Sequence, residues 1–245
     1  MDPLEAQLQR QLEQSRDFFW HRLRWKAVAG HLPRQGPFQL LDVGAGAGLI
    51  GEYLRRARPS ARYRFIEPIE SLRRRLEQRF GAAANAEDLG SLGEMDVVTL
   101  LDVLEHQRDD RAFLADLVGR MRPGSTLIVT VPALPRLWSA WDVALGHHRR
   151  YGRASLRDVV TGPTGRAEEV SYLFPELVPA ALVRRIRQPA GRVHLSGVDE
   201  FQFPELPRWL NGLLYALGSA TLAVRQVWPF GTSLLAVVRR LERAA

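Results

Sequence analysis

The feature that most constrains this chain is an alternation that begins at Phe38, in which short β-rich apolar runs are separated by longer charged stretches of helical character. Such alternation is typical of βαβ units, which build a parallel sheet with helices on its faces. The pattern predicts a doubly wound α/β core. We expect strands over 38–43, 63–67, 82–85, 95–101, 126–131, 168–174 and 232–239.

The charge balance is basic, with 34 Lys+Arg against 27 Asp+Glu, but Lys26 is the only lysine. Because arginine is spread along the whole chain, its clusters are weak indicators of a phosphate-binding patch, and nucleic acid is not a favoured partner. The sequence has no cysteine, which excludes disulfides and thiolate metal sites. A reducing compartment is therefore compatible with the chain, and we expect a cytoplasmic location.

A glycine-rich turn, LLDVGAGAG over residues 40–48, joins the first expected strand to a helix. Glycines let a backbone turn sharply and approach a ligand, and the helix N-terminus behind them offers free N–H groups. Leu49 stands where a dinucleotide fingerprint needs its third glycine, which argues against a nicotinamide-dependent oxidoreductase. Glu67 ends the second expected strand, where a carboxylate can accept hydrogen bonds from ribose hydroxyls. A purely structural strand-to-helix turn remains the alternative.

Three histidines, His106, His147 and His148, fall in segments expected at the ligand-binding edge of the sheet. Histidine titrates near neutral pH, so each is a candidate base for removing a proton from a substrate. The alternative is a loop histidine that only hydrogen-bonds a backbone carbonyl. We predict no metal site, because His147 and His148 are adjacent and should point apart.

Several motifs together resemble the class I S-adenosylmethionine-dependent methyltransferases. They are the LDVGAGAG turn, Glu67, AEDL at 86–89, MDVVTLLDVLEH at 95–106 and MRPGSTLIVTVP at 121–132. The segments FFWHRLR at 18–24, GHHRRY at 146–151 and PFGTSLLAV at 229–237 are similar to a bacterial subgroup that methylates small molecules. The resemblance extends over nearly the whole chain.

This resemblance implies a Rossmann-like sheet of seven strands with an antiparallel last strand, and S-adenosylmethionine as cofactor. Arg24, with Arg22 as the alternative, would pair with the cofactor carboxylate. Asn85 stands where the family usually has an aspartate near the adenine, so the choice among Asn85, Glu87 and Asp88 stays open. The implied cofactor-binding residues are Arg24, Asp42, Gly44, Ala45, Gly46, Gly48, Glu67, Asn85, Ala86 and Leu101.

We expect one domain over residues 1–245, made of an N-terminal helical lid (1–36), a cofactor-binding core (37–174), a helical cover (175–230) and a last strand with tail (231–245). The cover should give a small acceptor an apolar wall, favouring a hydrophobic or amphipathic molecule. The alternative is an insertion that only enlarges the core. Leucines at helical spacing over 206–217 should pack on the sheet edge. Contact with either an anionic group or a peripheral membrane surface is expected through Arg184, Arg185, Arg187 and Arg192.

Three other functions remain as alternatives: a nicotinamide-dependent oxidoreductase, a non-catalytic module that keeps the fold for binding, and an RNA methyltransferase. The last rests on the basic composition alone and lacks an Asn-Pro-Pro-Tyr-type motif. The expected reaction is in-line attack of an acceptor on the sulfonium methyl group.

Overall fold

A six-stranded sheet runs through the part of the chain that the computed structural model describes, residues 4, 5, 8, 16–162, 165–188 and 206–242. The strands are β1 (Gln39–Val43), β2 (Arg62–Ile66), β3 (Val97–Leu101), β4 (Thr126–Pro132), β5 (Gly165–Leu173) and β6 (Ser233–Arg240). The α-helices given bounds among the described residues are α1 (Phe19–Ala29), α2 (Leu49–Ala57), α3 (Glu70–Phe80), α4 (Asp110–Arg120), α5 (Ala140–Ala144), α6 (Arg153–Val160), α7 (Val178–Arg187) and α8 (Arg208–Ala223).

The strand order is β2-β1-β3-β4-β6-β5, and β1 to β4 are mutually parallel. β6 is antiparallel to both β4 and β5, as expected for the last strand. Central strands are buried on both faces, which explains why β3 and β4 are continuous apolar runs without alternation. The predicted α/β class and the antiparallel last strand are confirmed.

Helices cover both faces of the sheet, and the core is split accordingly into two apolar layers. On one face, Leu114 and Leu117 of α4 pack with Leu156 of α6 against the strands. On the other face, Leu23 of α1 and Leu54 of α2 pack against the opposite side of the same strands. The parallel strand ends therefore emerge between two helical layers, at the edge where open α/β sheets bind ligands.

The strand expected over residues 82–85 is absent from the described sheet. Ala82–Ala84 form a 3-10 turn, and Asn85 makes only one isolated parallel bridge, to Phe65. Three consecutive alanines have little preference for extended structure and no branched side chain to pack on a pleated surface. The described sheet has six strands instead of seven for this reason.

Helix α8 packs on α1, which corrects the expectation that its leucine stripe lies on the sheet edge. A Cβ built on Gly218 would stand 2.3 Å from Leu23 of α1, so the two helices approach closely there. The side chain of Asn211 bonds the start of α1, accepting from the Phe19 N–H at 2.8 Å and donating to the Asp17 carbonyl at 2.9 Å. Leu213 and Leu217 remain about half exposed.

None of the described helices has the length and apolar character that a membrane crossing requires.

Candidate active site

A cavity of about 460 Å³ opens at the carboxyl edge of the parallel strands. The ends of β1 and β3 form its floor, α1 lies along one side, and the segment after β4 together with α7 lies along the other. Of the residues predicted from the sequence, nine line it: Arg24, Asp42, Gly44, Ala45, Gly46, Glu67, Leu101, His106 and His147. The topology thus brings together residues separated by up to 123 positions.

The glycine turn adopts backbone angles that other residues rarely reach. Gly44, Gly46 and Gly48 have φ angles of +72°, +54° and +69°. Gly44 and Gly46 line the cavity, whereas Gly48 faces α3, where a Cβ would stand 2.4 Å from Leu76. Gly48 is therefore required for helix packing and is not among the cavity residues.

Glu67 is held against this turn by two backbone amides. Its Oε2 accepts a hydrogen bond from the Gly46 N–H at 2.7 Å, and its Oε1 accepts one from the Ile69 N–H at 2.9 Å. The residue is 5% exposed, and burial raises the pKa of its carboxyl group. The carboxylate is thus oriented at the cavity wall.

Asp42 lies directly below the turn and is fully engaged with neighbouring strands. Its Oδ1 accepts from the Thr99 hydroxyl at 2.7 Å and its Oδ2 accepts from the Tyr63 hydroxyl at 3.1 Å. Burial raises the pKa of this carboxyl group. These bonds tie β1 to β2 and β3 beneath the cavity, so Asp42 helps to hold the turn in place.

Arg24 reaches the cavity from α1. Its guanidinium is 3.0 Å from Asp102 Oδ2, donates to the Thr130 hydroxyl at 3.3 Å, and lies over the ring of Trp20. Arg22 is not among the cavity residues, since its guanidinium stacks on Tyr215 of α8 at 3.5 Å. The structure therefore separates the two arginines that the sequence left as alternatives.

Asn85 and Ala86 lie at the end of the sheet, outside the cavity lining. The Asn85 side chain donates to Glu77 Oε1 at 2.8 Å, and the Ala86 N–H donates to the Phe65 carbonyl at 2.8 Å. Their role near an adenine ring stays a prediction.

His106 and His147 meet edge to face, with ring centroids 4.8 Å apart. Burial, followed by the charge of His147, lowers the pKa of His106 to about 4. His147 Nδ1 is 3.0 Å from Asp142 Oδ1. His148 is exposed, is not among the cavity residues, and contributes its backbone N–H to the Glu105 carbonyl.

Asp142 belongs to α5, a short helix within a stretch that the sequence indicates only as an irregular loop. Its carboxylate accepts from the Ser139 N–H at 2.9 Å and from Arg150 Nε at 2.7 Å, in addition to its contact with His147. Burial alone would raise its pKa, but the bonds from His147 and Arg150 hold that pKa below its usual value. Asp142 thus fixes the orientation of the His147 ring.

Glu105 is the cavity residue that sequence reasoning missed most clearly. It is fully buried, and neither carboxylate oxygen accepts a hydrogen bond from another described residue. Burial, followed by the charge of Asp102, raises the pKa of this carboxyl group well above its usual range. The signal was present, because Glu105 precedes His106 in the LDVLEH segment, directly after a strand end.

Two arginines also reach the cavity. Arg184 of α7 lies over the Trp141 ring at 4.6 Å, and Arg150 lies beside Asp142. Arg184 was expected at a membrane surface, but it is partly buried, and burial lowers its pKa. Arg192 lies outside the described residues.

We expect acid to destabilise the protein through His21, a cavity residue that is 3% exposed. Burial, followed by the charge of Arg24, lowers its pKa from 6.5 to about 4. Between these values only the unfolded chain gains the proton, so folding stability present above pH 6.5 falls as the pH falls, by roughly 3 kcal/mol at most.

Urea unfolding of the protein and of His21→Phe at pH 7 and pH 4.5 measures this effect. His21→Phe should lose less stability on acidification, while His148→Ala, which removes an exposed imidazole, should behave like the parent. Equal losses in the parent and in His21→Phe would contradict the prediction.

The family model described as "Methyltransferase domain" matches residues 4–162. Among curated proteins, no sequence matches the chain.

Solved structures share the fold at low sequence identity. A chain of the Haloferax volcanii complex between the Trm112 methyltransferase activator and a methyltransferase aligns with a TM-score of 0.61 and 13% identity, covering 98% of this chain and 96% of that one. An Archaeoglobus fulgidus SAM-dependent methyltransferase aligns with a TM-score of 0.55 and 14% identity, covering 94% and 96%. Haemonchus contortus phosphoethanolamine N-methyltransferase 2, solved with S-adenosylhomocysteine, aligns with a TM-score of 0.57 and 11% identity, covering 91% of this chain and 53% of that one.

Proposed function

Since this chain belongs to the class I S-adenosylmethionine-dependent methyltransferase family, we propose that it transfers the cofactor's methyl group to a small hydrophobic or amphipathic acceptor. The observation that carries this proposal is one continuous cavity with two chemically different ends. The glycine turn and Glu67 line one end, and His106, His147 and α7 line the other.

The turn end suits a nucleoside and an amino-acid carboxylate. Glu67 is already oriented by two backbone amides and can accept hydrogen bonds from vicinal ribose hydroxyls. Arg24 lines the same cavity as Gly44 and Leu101, and its guanidinium can form a charge-assisted bond to the methionine carboxylate. Gly44 and Gly46 leave the space that the ligand needs.

The opposite end suits the acceptor. Leu145, Leu177, Ala180 and Ala181 give it apolar walls, and the Trp141 ring lies beside them. Arg184 adds one cation at this wall. A molecule with an apolar body and one polar or anionic group would match these surfaces.

The chemistry requires little covalent participation by the protein. The acceptor attacks the sulfonium methyl in line, so positioning and exclusion of water supply most of the rate. His147, oriented by Asp142, or His106 would take the acceptor proton. Within this scheme residues 1–36 serve as a lid, 37–174 as the cofactor-binding core, 175–230 as the acceptor cover and 231–245 as the last strand and tail.

We also propose that α7 touches a membrane surface. Leu182 and Val183 are each 47% exposed and Ile186 is 74% exposed, and Arg185 and Arg187 lie on the same helix. An apolar face flanked by arginines is typical of interfacial helices. Sedimentation with anionic vesicles tests this membrane contact, and Ile186→Glu should reduce the fraction of protein that sediments with the vesicles.

Replacement of Arg24 by alanine should weaken S-adenosylmethionine binding by about ten- to a hundredfold, because a charge-assisted hydrogen bond is worth roughly 1.5–3 kcal/mol. Arg22→Ala, on the same helix but stacked on Tyr215, is the matched control and should bind like the parent. Calorimetric titration measures both. Equal affinity for S-adenosylmethionine in both variants and the parent would show that Arg24 pairs with Asp102 and does not bind the cofactor carboxylate.

Formation of S-adenosylhomocysteine, measured with a panel of amphipathic hydroxy, phenolic, amine and carboxylate compounds, tests methyl transfer itself. We expect cofactor binding in the absence of an acceptor and turnover with at least one acceptor class. Absence of any affinity for S-adenosylmethionine would overturn the proposal. Affinity without turnover across the panel would favour the non-catalytic binding module.

A further inference from the structure

We propose that Glu105, His106 and His147 form a binding site for a divalent first-row transition-metal ion at the acceptor end of the cavity. One ligand atom from each residue can be chosen so that all three lie within 4.8 Å of one another, and all three residues line the cavity. The proposal goes beyond methyl transfer, and the site can bind an ion whether or not the cofactor is bound.

The first argument is the state of Glu105. It is fully buried, yet neither of its carboxylate oxygens accepts a hydrogen bond from another described residue. A buried carboxylate without such bonds is costly and needs either a proton or a cation. A proton alone would satisfy Glu105, but it would not explain why two imidazole rings converge on this side chain.

The second argument is the orientation of the two rings. His147 places Nδ1 against Asp142 at 3.0 Å, which leaves Nε2 directed to the Glu105 side, 3.9 Å from Oε1. The backbone of Gly146 faces the His106 ring and acts to raise its pKa, against the larger effect of burial. Metal-binding histidines commonly donate their second nitrogen to a carboxylate or a backbone carbonyl, and this contact fixes the ring for binding.

The third argument is the donor set. One carboxylate with two imidazoles suits manganese, iron, cobalt, nickel or zinc, whereas magnesium and calcium prefer oxygen ligands. Bonds of about 2.0–2.2 Å at tetrahedral angles place ligand atoms about 3.4 Å apart, so ligand atoms that lie within 4.8 Å of one another need to approach by up to about 1.4 Å. Because all three residues line the cavity, an acceptor oxygen bound in the cavity would be the natural further ligand.

This site differs from the one that the sequence excluded. The excluded metal site would use both His147 and His148, and it was excluded because adjacent side chains point apart. His148 is exposed and outside the cavity, and the proposed site does not use it. With an ion bound, His106 and His147 would serve as ligands instead of bases. The ion would lower the pKa of a bound acceptor hydroxyl, whose proton would then pass to water. The metal would thereby restrict the acceptors to those that present an oxygen.

Cobalt(II) is the probe, because its visible absorption reports the number and type of its ligands. Chelator-treated protein is titrated with cobalt(II), and we expect about one equivalent to bind, with excess magnesium failing to displace it. Glu105→Gln preserves the side-chain volume and should weaken binding by about a hundredfold or more. His148→Ala, which removes the adjacent exposed histidine, should bind like the parent.

The proposal is overturned if the parent shows no saturable absorption, or if Glu105→Gln binds cobalt(II) as tightly as the parent. Circular dichroism establishes that each variant is folded, and His147→Ala provides a second ligand variant with the same expected loss. Titration of the same samples with S-adenosylmethionine keeps the two proposals separate. Cobalt(II) binding without S-adenosylmethionine binding would overturn only the proposed methyl transfer. S-adenosylmethionine binding without cobalt(II) binding would overturn only the metal site.

Discussion

Gly46→Val should abolish S-adenosylmethionine binding, lowering the affinity by on the order of a thousandfold or more, equivalent to at least about 4 kcal/mol. Gly46 has a φ of +54°, an angle that a β-branched residue adopts only under strain. A Cβ there would also project over the turn, 3.0 Å from Leu8, into space that the cofactor needs. Both effects act on the segment that orients Glu67.

The matched control is Gly119→Val, because Gly119 is an exposed glycine in α4 whose added Cβ would meet no atom within 4 Å. This variant should bind the cofactor like the parent. Calorimetric titration measures affinity, and circular dichroism checks that both variants are folded. A folded Gly46→Val protein with parental affinity would show that the cofactor does not approach this turn.

Asp142→Ala should destabilise the protein by roughly 3–5 kcal/mol, because it removes one partner of a buried ion pair and leaves Arg150 without its carboxylate. The Ser139 N–H also loses its acceptor, and the His147 ring loses the contact that orients it. Urea unfolding at pH 7 gives the free energy of unfolding.

Asp116→Ala is the matched control, because it also removes the carboxylate of an ion pair with arginine, but at the solvent-exposed surface. Asp116 pairs with Arg120 on the surface of α4, with both side chains more than half exposed. Such pairs contribute at most about 1 kcal/mol, so this variant should unfold close to the parent. A loss for Asp142→Ala no larger than that for Asp116→Ala would show that the buried carboxylate does not hold the segment together.

Most of the sheet could be predicted from the sequence because buried parallel strands are continuous apolar runs bounded by turn residues. The segment at 82–85 failed this test, since a run of alanines resembles a buried strand in hydropathy but lacks β preference. The packing of α8 on α1 could not be predicted from the local sequence pattern either. The helix approaches α1 closely at the small residue Gly218, and the spacing of its leucines does not reveal such an approach.

The candidate site was partly predictable for a related reason. Residues that follow strand ends gather at one edge of the sheet, so the glycine turn, Glu67 and the histidines could be expected there. The contact between Asp142 and His147 depends on a short helix inside an irregular segment, which no periodicity indicates. Glu105 precedes His106 in the sequence, but only the tertiary structure shows that it is buried beside both rings.

The bonds from Asn211 to the start of α1 also bear on how the chain acquires its structure. They join segments 192 and 194 residues apart, so they contribute to stability only after most of the chain has been ordered. During synthesis the first helix would leave the ribosome long before the residue that caps it. Helix α1, although made early, should therefore be among the last to become stable, and its amides should be protected from hydrogen exchange only once α8 has docked.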